Sequence, residues 1–265
     1  MTRLILLALL AAAAAYPSMR IIVTVVEPRT GKPVEDLKAE DFLVLEDKLT
    51  RRVEASEFGR HPIDVMLLVD TSLVGGTVQP VAQGLIGELK EKEQMAIVAF
   101  DSSAEMIQDF TASRQLLGDA LNKVKYGNTP RVLDALFAAM DGGFEHATFR
   151  KVMMLVTTGL EGDSRQRERD VIRMARRNGV SIYPVYATGA ERGMFEELAR
   201  RTGGASFSLR DLQKSGANVP SRIFDVVRAH YTVTIAGNLG LGEKLKVEIK
   251  GREKQKLRVS ALPID

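Results

Sequence analysis

The sequence predicts an α/β fold: a doubly wound, mostly parallel sheet inserted in a small β module that the N- and C-terminal segments build together. Three observations point there. Near-continuous apolar runs such as Ile63-Asp64-Val65-Met66-Leu67-Leu68-Val69 recur between segments of helical period. Both ends of the chain are β-branched or alternate in period two. The 265 residues suffice for one large domain or one with a smaller companion.

Composition narrows the class. With 45% hydrophobic and 27% charged residues the chain is globular rather than disordered. Its 37 Lys plus Arg against 34 Asp plus Glu leave a charge of +3, little for a dedicated polyanion binder. The absence of cysteine excludes disulfide scaffolds, thiol nucleophiles, Cys-ligated zinc and iron–sulfur clusters.

Residues 1–18 read as a signal peptide. Arg3 precedes an apolar run over 4–15, whose length of about 12 is short of the about 20 residues that span a bilayer. Ala13 and Ala15 fit an A-x-A cleavage site, and Tyr16-Pro17 stops a helix. The mature protein is expected to be exported, periplasmic or extracellular, with no membrane span after removal of the signal.

Residues 19–61 form the N-terminal part of the β module. A β-branched strand over 19–26 meets turn chemistry from Glu27 to Pro33, a turn or short helix over 34–41 presents Phe42, and extended runs follow over 42–46 and 51–58.

Residues 62–227 carry the α/β domain. Its first strand, over 63–69, ends in Asp70. A helix follows over 78–92, with Val81, Leu85 and Leu89 at fourfold spacing, and then a strand over 95–100. After a short extended piece over 106–110, Ser113 N-caps a helix through 124 and another runs over 130–139. The alternation continues with a strand over 152–156, a helix over 165–177 stopped by Asn178-Gly179, and a strand over 180–187. A helix over 194–200, a short strand over 205–209 and a helix over 220–227 complete it. Residues 228–265 return to β structure, with period-two runs over 231–235, 245–249 and 257–261.

Ligands of an open parallel sheet bind beyond the carboxyl ends of its strands, which singles out Asp70, Asp101, Thr158 and Thr188. Asp70-Thr71-Ser72 sets a carboxylate and a hydroxyl two residues apart in a turn, hard oxygen donors suited to Mg²⁺. Another hydroxyl, Thr129, follows Tyr126-Gly127-Asn128 where a glycine-containing loop opens a helix.

These pieces resemble the von Willebrand factor type A (VWA) domains with their metal-ion-dependent adhesion site, in particular the VWFA-related acidobacterial domain family. That family's pattern is Asp-x-Ser-x-Ser after the first strand, Gly-Thr before a helix and Thr-Asp-Gly after the fourth strand. Here it becomes Asp70-Thr71-Ser72-Leu73-Val74, Gly127-Asn128-Thr129 and Thr157-Thr158-Gly159. The likeness extends through Asp41 to Asp47, Val98-Ala99-Phe100, Leu198 with Thr202-Gly203-Gly204, and Tyr231-Thr232-Val233, nearly the whole mature chain. The resemblance implies a VWA/Rossmann-like fold and a non-enzymatic protein-binding module. Its metal residues would be Asp70, Ser72 and Thr129, with a ligand-binding surface at Leu73, Val74, Asp101, Thr158 and Asp163 and a protein as partner.

Two departures weaken the metal. Val74 replaces the second serine, and Thr158 replaces the second aspartate. One carboxylate and two hydroxyls are a poor set for Mg²⁺, which demands near-octahedral oxygens, so affinity is expected to be weakened or absent. Asp163 is a substitute carboxylate a few residues on. The bland alternatives stay open: Asp70 capping its own loop, and Thr129 as an N-cap ahead of Pro130.

Enzyme classes find little support. No Gly-x-Ser-x-Gly elbow, His-Glu-x-x-His pair or P-loop is present, and His61, His146 and His230 lie away from the strand ends. The glycines of Gly237-x-x-Gly240-x-Gly242 read as a hairpin loop. Arg165, Arg169, Arg173 and Arg177 form a stripe interleaved with Glu168 and Asp170 and without aromatics, a solvated helix face rather than a nucleic-acid site. The alternative functions are a metal-assisted hydrolase using Asp70 and a structural component of an envelope assembly.

Overall fold

The computed structural model describes residues 18–28, 30–214, 216, 218–237 and 245–264. The expected signal peptide, up to residue 17, and most of the expected hairpin loop after Gly237 lie outside them. The chain opens with strands β1 (Ser18–Val26), β2 (Phe42–Glu46), β3 (Leu49–Arg51) and β4 (Val53–Arg60). The α/β part follows as β5 (Ile63–Asp70), α1 (Gln79–Gly87), β6 (Gln94–Phe100), β7 (Ala104–Thr111), α2 (Arg114–Leu121), α3 (Val132–Met140) and β8 (Arg150–Thr157). It continues as α4 (Glu168–Asn178), β9 (Ser181–Tyr186), α5 (Arg192–Arg201), β10 (Phe207–Ser208), α6 (Leu209–Lys214) and α7 (Val219–Arg228). Strands β11 (Ala229–Ala236), β12 (Leu245–Ile249) and β13 (Arg258–Ile264) close it.

The expected architecture is the one observed. The central sheet has the order β10-β9-β8-β5-β6-β7, parallel except for β7, which runs antiparallel to β6 at the edge. Every residue of β5 is buried because helices cover both faces. Val65, Leu67 and Val69 pack with α1, α2 and α7, while Met66 and Leu68 pack with α3, α4 and α5. A strand with two dry faces therefore reads as an unbroken apolar run rather than an alternation.

Helix α1 stops well short of the expected residue 92, and the difference has a cause. Gly84 and Gly87 weaken it, and the segment that follows is recruited elsewhere. Glu93 accepts a hydrogen bond from the Lys90 N–H and forms a buried ion pair with Arg228 at the end of α7, at 2.6 Å and 2.8 Å. Gly84 is where α7 lands, since a Cβ there would lie 2.6 Å from Pro220. Helix α4 begins three residues later than its arginine period suggests, because the N–H groups of Arg165 and Gln166 donate to Asp134 on α3 and hold that stretch as a loop. Gly179 ends α4 in the left-handed region, φ 66°. Helix α6 was not anticipated, being too short to show a period.

Strand β1 lies between β11 and β13, antiparallel to both, in a four-stranded sheet completed by β4. The second small sheet has the order β12-β2-β3. Their apolar faces share one core around Ile21, Val23, Phe42, Val44, Val233 and Tyr231. The Tyr231 hydroxyl donates to the Val34 carbonyl and accepts from the Leu37 N–H, so the loop before β2 is pinned to the C-terminal half of the module. Thr24 donates to the Gly203 carbonyl at 2.8 Å, coupling β1 to the end of α5.

His230, the second residue of β11, is buried, with Nδ1 donating to the Arg228 carbonyl at 3.3 Å. Burial first, and then the charge of Arg150, push its pKa down from 6.5 to about 3. The neutral imidazole belongs to the fold, while the unfolded chain takes up a proton below pH 6.5. Stability contributed by His230 is thus whole above pH 6.5 and falls as pH drops toward 3. Urea unfolding between pH 7 and 4 is expected to show a shallower loss of stability in His230→Gln than in the natural chain; equal slopes would disprove the assignment.

Candidate functional site

Strands β6 and β7 build the sheet outward from one side of β5, and β8, β9 and β10 from the other. The carboxyl ends of β5 and β8 therefore meet at the switch point where an open α/β sheet leaves a crevice. Asp70 is the last residue of β5, and Thr157 the last of β8, with Thr158 following.

At this point the Asp70 side chain is fully buried and fully engaged. Its Oδ1 accepts from the Ser72 N–H at 2.9 Å. Its Oδ2 accepts from the Thr157 hydroxyl at 3.0 Å, the Thr158 N–H at 2.9 Å and the Thr158 hydroxyl at 2.8 Å. These donors compensate a carboxylate that has lost its water. The backbone is shaped for the arrangement. Gly159 sits at φ 96°, and a Cβ there would collide with the Thr188 carbonyl. A Cβ on Gly75 would collide with the Asp70 carbonyl, so the turn after Ser72 folds back onto β5 only with glycine.

A second loop lies alongside. The Gly127 N–H donates to the Thr71 carbonyl at 2.9 Å, and the Leu73 N–H to the Asn128 carbonyl at 3.2 Å. Asn128 adopts φ 55°, and its amide donates to Asp101 Oδ2 at 2.7 Å, while the Asp101 carbonyl accepts from the Arg131 N–H. Burial works to raise the Asp101 carboxyl, but hydrogen bonds from Asn128, Ser103 and Ser102 outweigh it and hold the group below its ordinary range. Asp101 thus braces the loop that carries Thr129.

The expected site residues divide accordingly. Asp70, Ser72, Thr158 and Asp101 surround the switch point, and the Thr129 loop runs beside them. Thr158 is 3% exposed and turned inward, under the surface rather than on it. Thr129 is exposed and does not cap α3, as one reading had it. The helix is capped by Glu161, whose Oε2 accepts from the Val132 and Leu133 N–H groups at 2.8 Å and 3.3 Å. Burial raises the Glu161 carboxyl above its ordinary range. Asp163 is exposed, and the carboxylate of its loop that turns inward is Glu161, toward α3 rather than toward Asp70. The Ser72 hydroxyl is buried with no hydrogen-bond partner among the described residues.

Sequence reasoning missed Tyr126 and Leu160. Tyr126 stands next to Gly76, and its phenol is raised by burial and then by the negative charge of Asp70. Leu160 follows Gly159 directly. Leu73 at 75% exposed, Val74 at 50%, Leu160 at 43% and Tyr126 at 37% are large exposed side chains on the loops that flank the buried polar centre.

The donor set does not fit Mg²⁺ as arranged. Asp70 has both oxygens committed to N–H and O–H donors, the position of a second carboxylate holds a hydroxyl that itself donates, and Thr129 lies outside the buried centre. Among the described residues no three His, Asp or Glu side chains gather closely enough to hold a metal ion.

Comparison with known proteins agrees with the architecture. The family model for the von Willebrand factor type A domain matches residues 64–219, more than half of the chain. No curated protein matches in sequence. Among solved structures, proximal thread matrix protein 1 from the mussel byssus is similar with a TM-score of 0.53 and 14% identity, over 67% of this chain and 49% of that one. Another structure of it, with a zinc-occupied MIDAS motif, gives a TM-score of 0.52 and 14% identity, over 74% of this chain and 50% of that one. This chain thus spans about half the length of that protein. BatB from Bacteroides thetaiotaomicron has a TM-score of 0.49 and 12% identity, over 63% of this chain and 98% of its own.

Replacing Asp70 tests the polar centre. Asp70→Ala leaves two threonine hydroxyls and two N–H groups without their acceptor, and a loss of about 3 kcal/mol or more is expected in urea unfolding. Thr158→Val removes one donor while keeping the shape, and should cost about 1 kcal/mol. Equal, negligible losses would show that the centre is not closed in this way.

Proposed function

Because the chain belongs to the von Willebrand factor type A family, a family of protein-interaction modules, we propose that it is an exported protein-binding module that recognises its partner without a bridging metal ion. The observation that carries this reading is the closed hydrogen-bond set of Asp70. In the adhesion site that the family resemblance implies, a partner carboxylate completes the coordination of a bound ion. Here the Thr158 hydroxyl occupies Asp70 directly, so its lone pairs are satisfied from within, and a partner has no ion to grip. Recognition falls to the surroundings, the exposed side chains of Leu73, Val74, Tyr126 and Leu160. They favour a partner that presents an apolar segment and buries it.

The same closure argues against a hydrolase. A general base or metal-activated water needs a carboxylate that can reach a substrate, whereas Asp70 is fully buried and holds four donors. Export rests on the N-terminal apolar run over 4–15, and a chain without cysteine is compatible with it. Among the described residues no helix is long and apolar enough to cross a membrane. The zinc-occupied MIDAS motif of the mussel protein sets the contrast, since the reading for this chain is that the corresponding place works empty.

Calorimetric titration with Mg²⁺ and Mn²⁺ is expected to give no saturable binding to the natural chain at millimolar ion. The double variant Val74→Ser/Thr158→Asp should bind either ion, because a second carboxylate beside Asp70 creates a repulsion that a cation relieves. A photo-crosslinker at Val74 should capture a protein partner equally with and without EDTA, and Leu73→Asp/Leu160→Asp should reduce that capture at least tenfold. Tight ion binding by the natural chain, or capture abolished by EDTA, would overturn the proposal.

A further inference from the structure

Away from the loops around Asp70, a groove of about 580 Å³ opens between the β module and the α/β domain. None of its lining residues belongs to the site around Asp70. Its floor combines the edge of the module core, from Val247, Ile249, Leu257 and Val259, with Val26 and Leu43. One wall is α5, through Ala199 and Arg200, and another is the Gly204-Ala205-Ser206 segment before β10. The groove lies beside β12 and β13, which are consecutive in the chain and are edge strands of different sheets.

The rim is unbalanced in charge. Six cations, Arg200, Lys246, Lys250, Arg252, Lys256 and Arg258, stand against the three carboxylates of Glu196, Glu248 and Glu253. Arg200 is paired with Glu197, Lys246 with Glu248 and Arg252 with Asp36, while Lys250 donates to the Glu40 carbonyl. Lys256 and Arg258 have no carboxylate partner among the described residues, and they flank Leu257 on the floor. Lys256 sits at φ 50°, a backbone region that few residues other than glycine adopt. An apolar floor with a few convergent polar groups, in a volume inside the roughly 300–1,000 Å³ of small-molecule sites, is the architecture of a ligand pocket.

We propose that this groove binds a fatty-acid-like amphiphile, its acyl chain along Val247, Ile249 and Val259 and its carboxylate between Lys256 and Arg258. The apolar floor calls for a hydrocarbon body, and the two unmatched cations call for an anionic head. The carboxylates also on the rim select a single charge over the double charge of a phosphate monoester.

Isothermal titration of the intact chain with myristate, myristyl alcohol and myristyl phosphate, below their micellar concentrations, tests the assignment. One equivalent of myristate is expected to bind, at least tenfold tighter than either of the others and more weakly as salt rises. Lys256→Glu/Arg258→Glu should weaken myristate at least tenfold, and the milder Lys256→Gln/Arg258→Gln should do so to a smaller extent while unfolding like the natural chain. Arg173→Glu, on the far-exposed face of α4, should change nothing. No saturable binding, equal affinity for acid and alcohol, preference for the phosphate, or indifference to both double variants would overturn the proposal. So would displacement of myristate by the extended peptide acetyl-(Glu-Val)₃-amide, which would reassign the groove to strand addition on the open edges of β12 and β13.

Discussion

A carboxylate placed at the end of a strand that is dry on both faces has to be hydrogen-bonded where it stands, and the structure around Asp70 follows from that need. Water cannot reach the group, so its lone pairs must find donors within the fold. Strand β8, parallel and adjacent, delivers two threonine hydroxyls and an N–H from its carboxyl end, and the turn after β5 delivers another N–H. Each donor fixes a piece of backbone. The turn is drawn tight enough to require Gly75, the exit from β8 requires Gly159, and the loop carrying Asn128 and Thr129 lies down on the result. A polar centre that closed within itself leaves its periphery free to be apolar, which is where Leu73, Val74, Tyr126 and Leu160 are found.

The large elements were legible in the sequence because burial on two faces writes itself as an apolar run. Strand β5 ends at Asp70 as its composition predicts, and the alternation of strands and helices leads directly to a wound sheet. Helix ends were less legible wherever a distant side chain decides them. Nothing near Lys90 announces that Glu93 will pair with Arg228, and nothing near Arg165 announces that Asp134 will take its N–H. The residues of the site could be named, but not their state. Thr158 in place of aspartate reads as a missing ligand, whereas in space it is a replacement donor aimed at Asp70. The loss of a charge and the gain of a hydrogen bond are one substitution, and only the distance between β5 and β8 reveals the second half. Asp163 and Glu161 were separable only by knowing where α3 begins, since the free N–H groups of a helix start attract whichever carboxylate reaches them.

The two halves of the molecule are joined by more than a pair of linkers. Thr24 of β1 bonds the Gly203 carbonyl, Val26 packs into the core of the α/β part, and the buried Glu93–Arg228 pair lies where α7 hands over to β11. Sheet-edge geometry then places the groove beside this joint, at β12 and β13, which are edge strands of different sheets.

The position of β1 between β11 and β13 has a consequence for how the chain is made. Ile22 faces Thr232 on one side and Leu262 on the other, and both lie more than two hundred residues further along the chain. Contacts between such remote points close slowly, while the wound sheet between them can assemble from neighbours. A nascent chain therefore carries this β-branched ribbon without its partners until β11 and β13 have both been made.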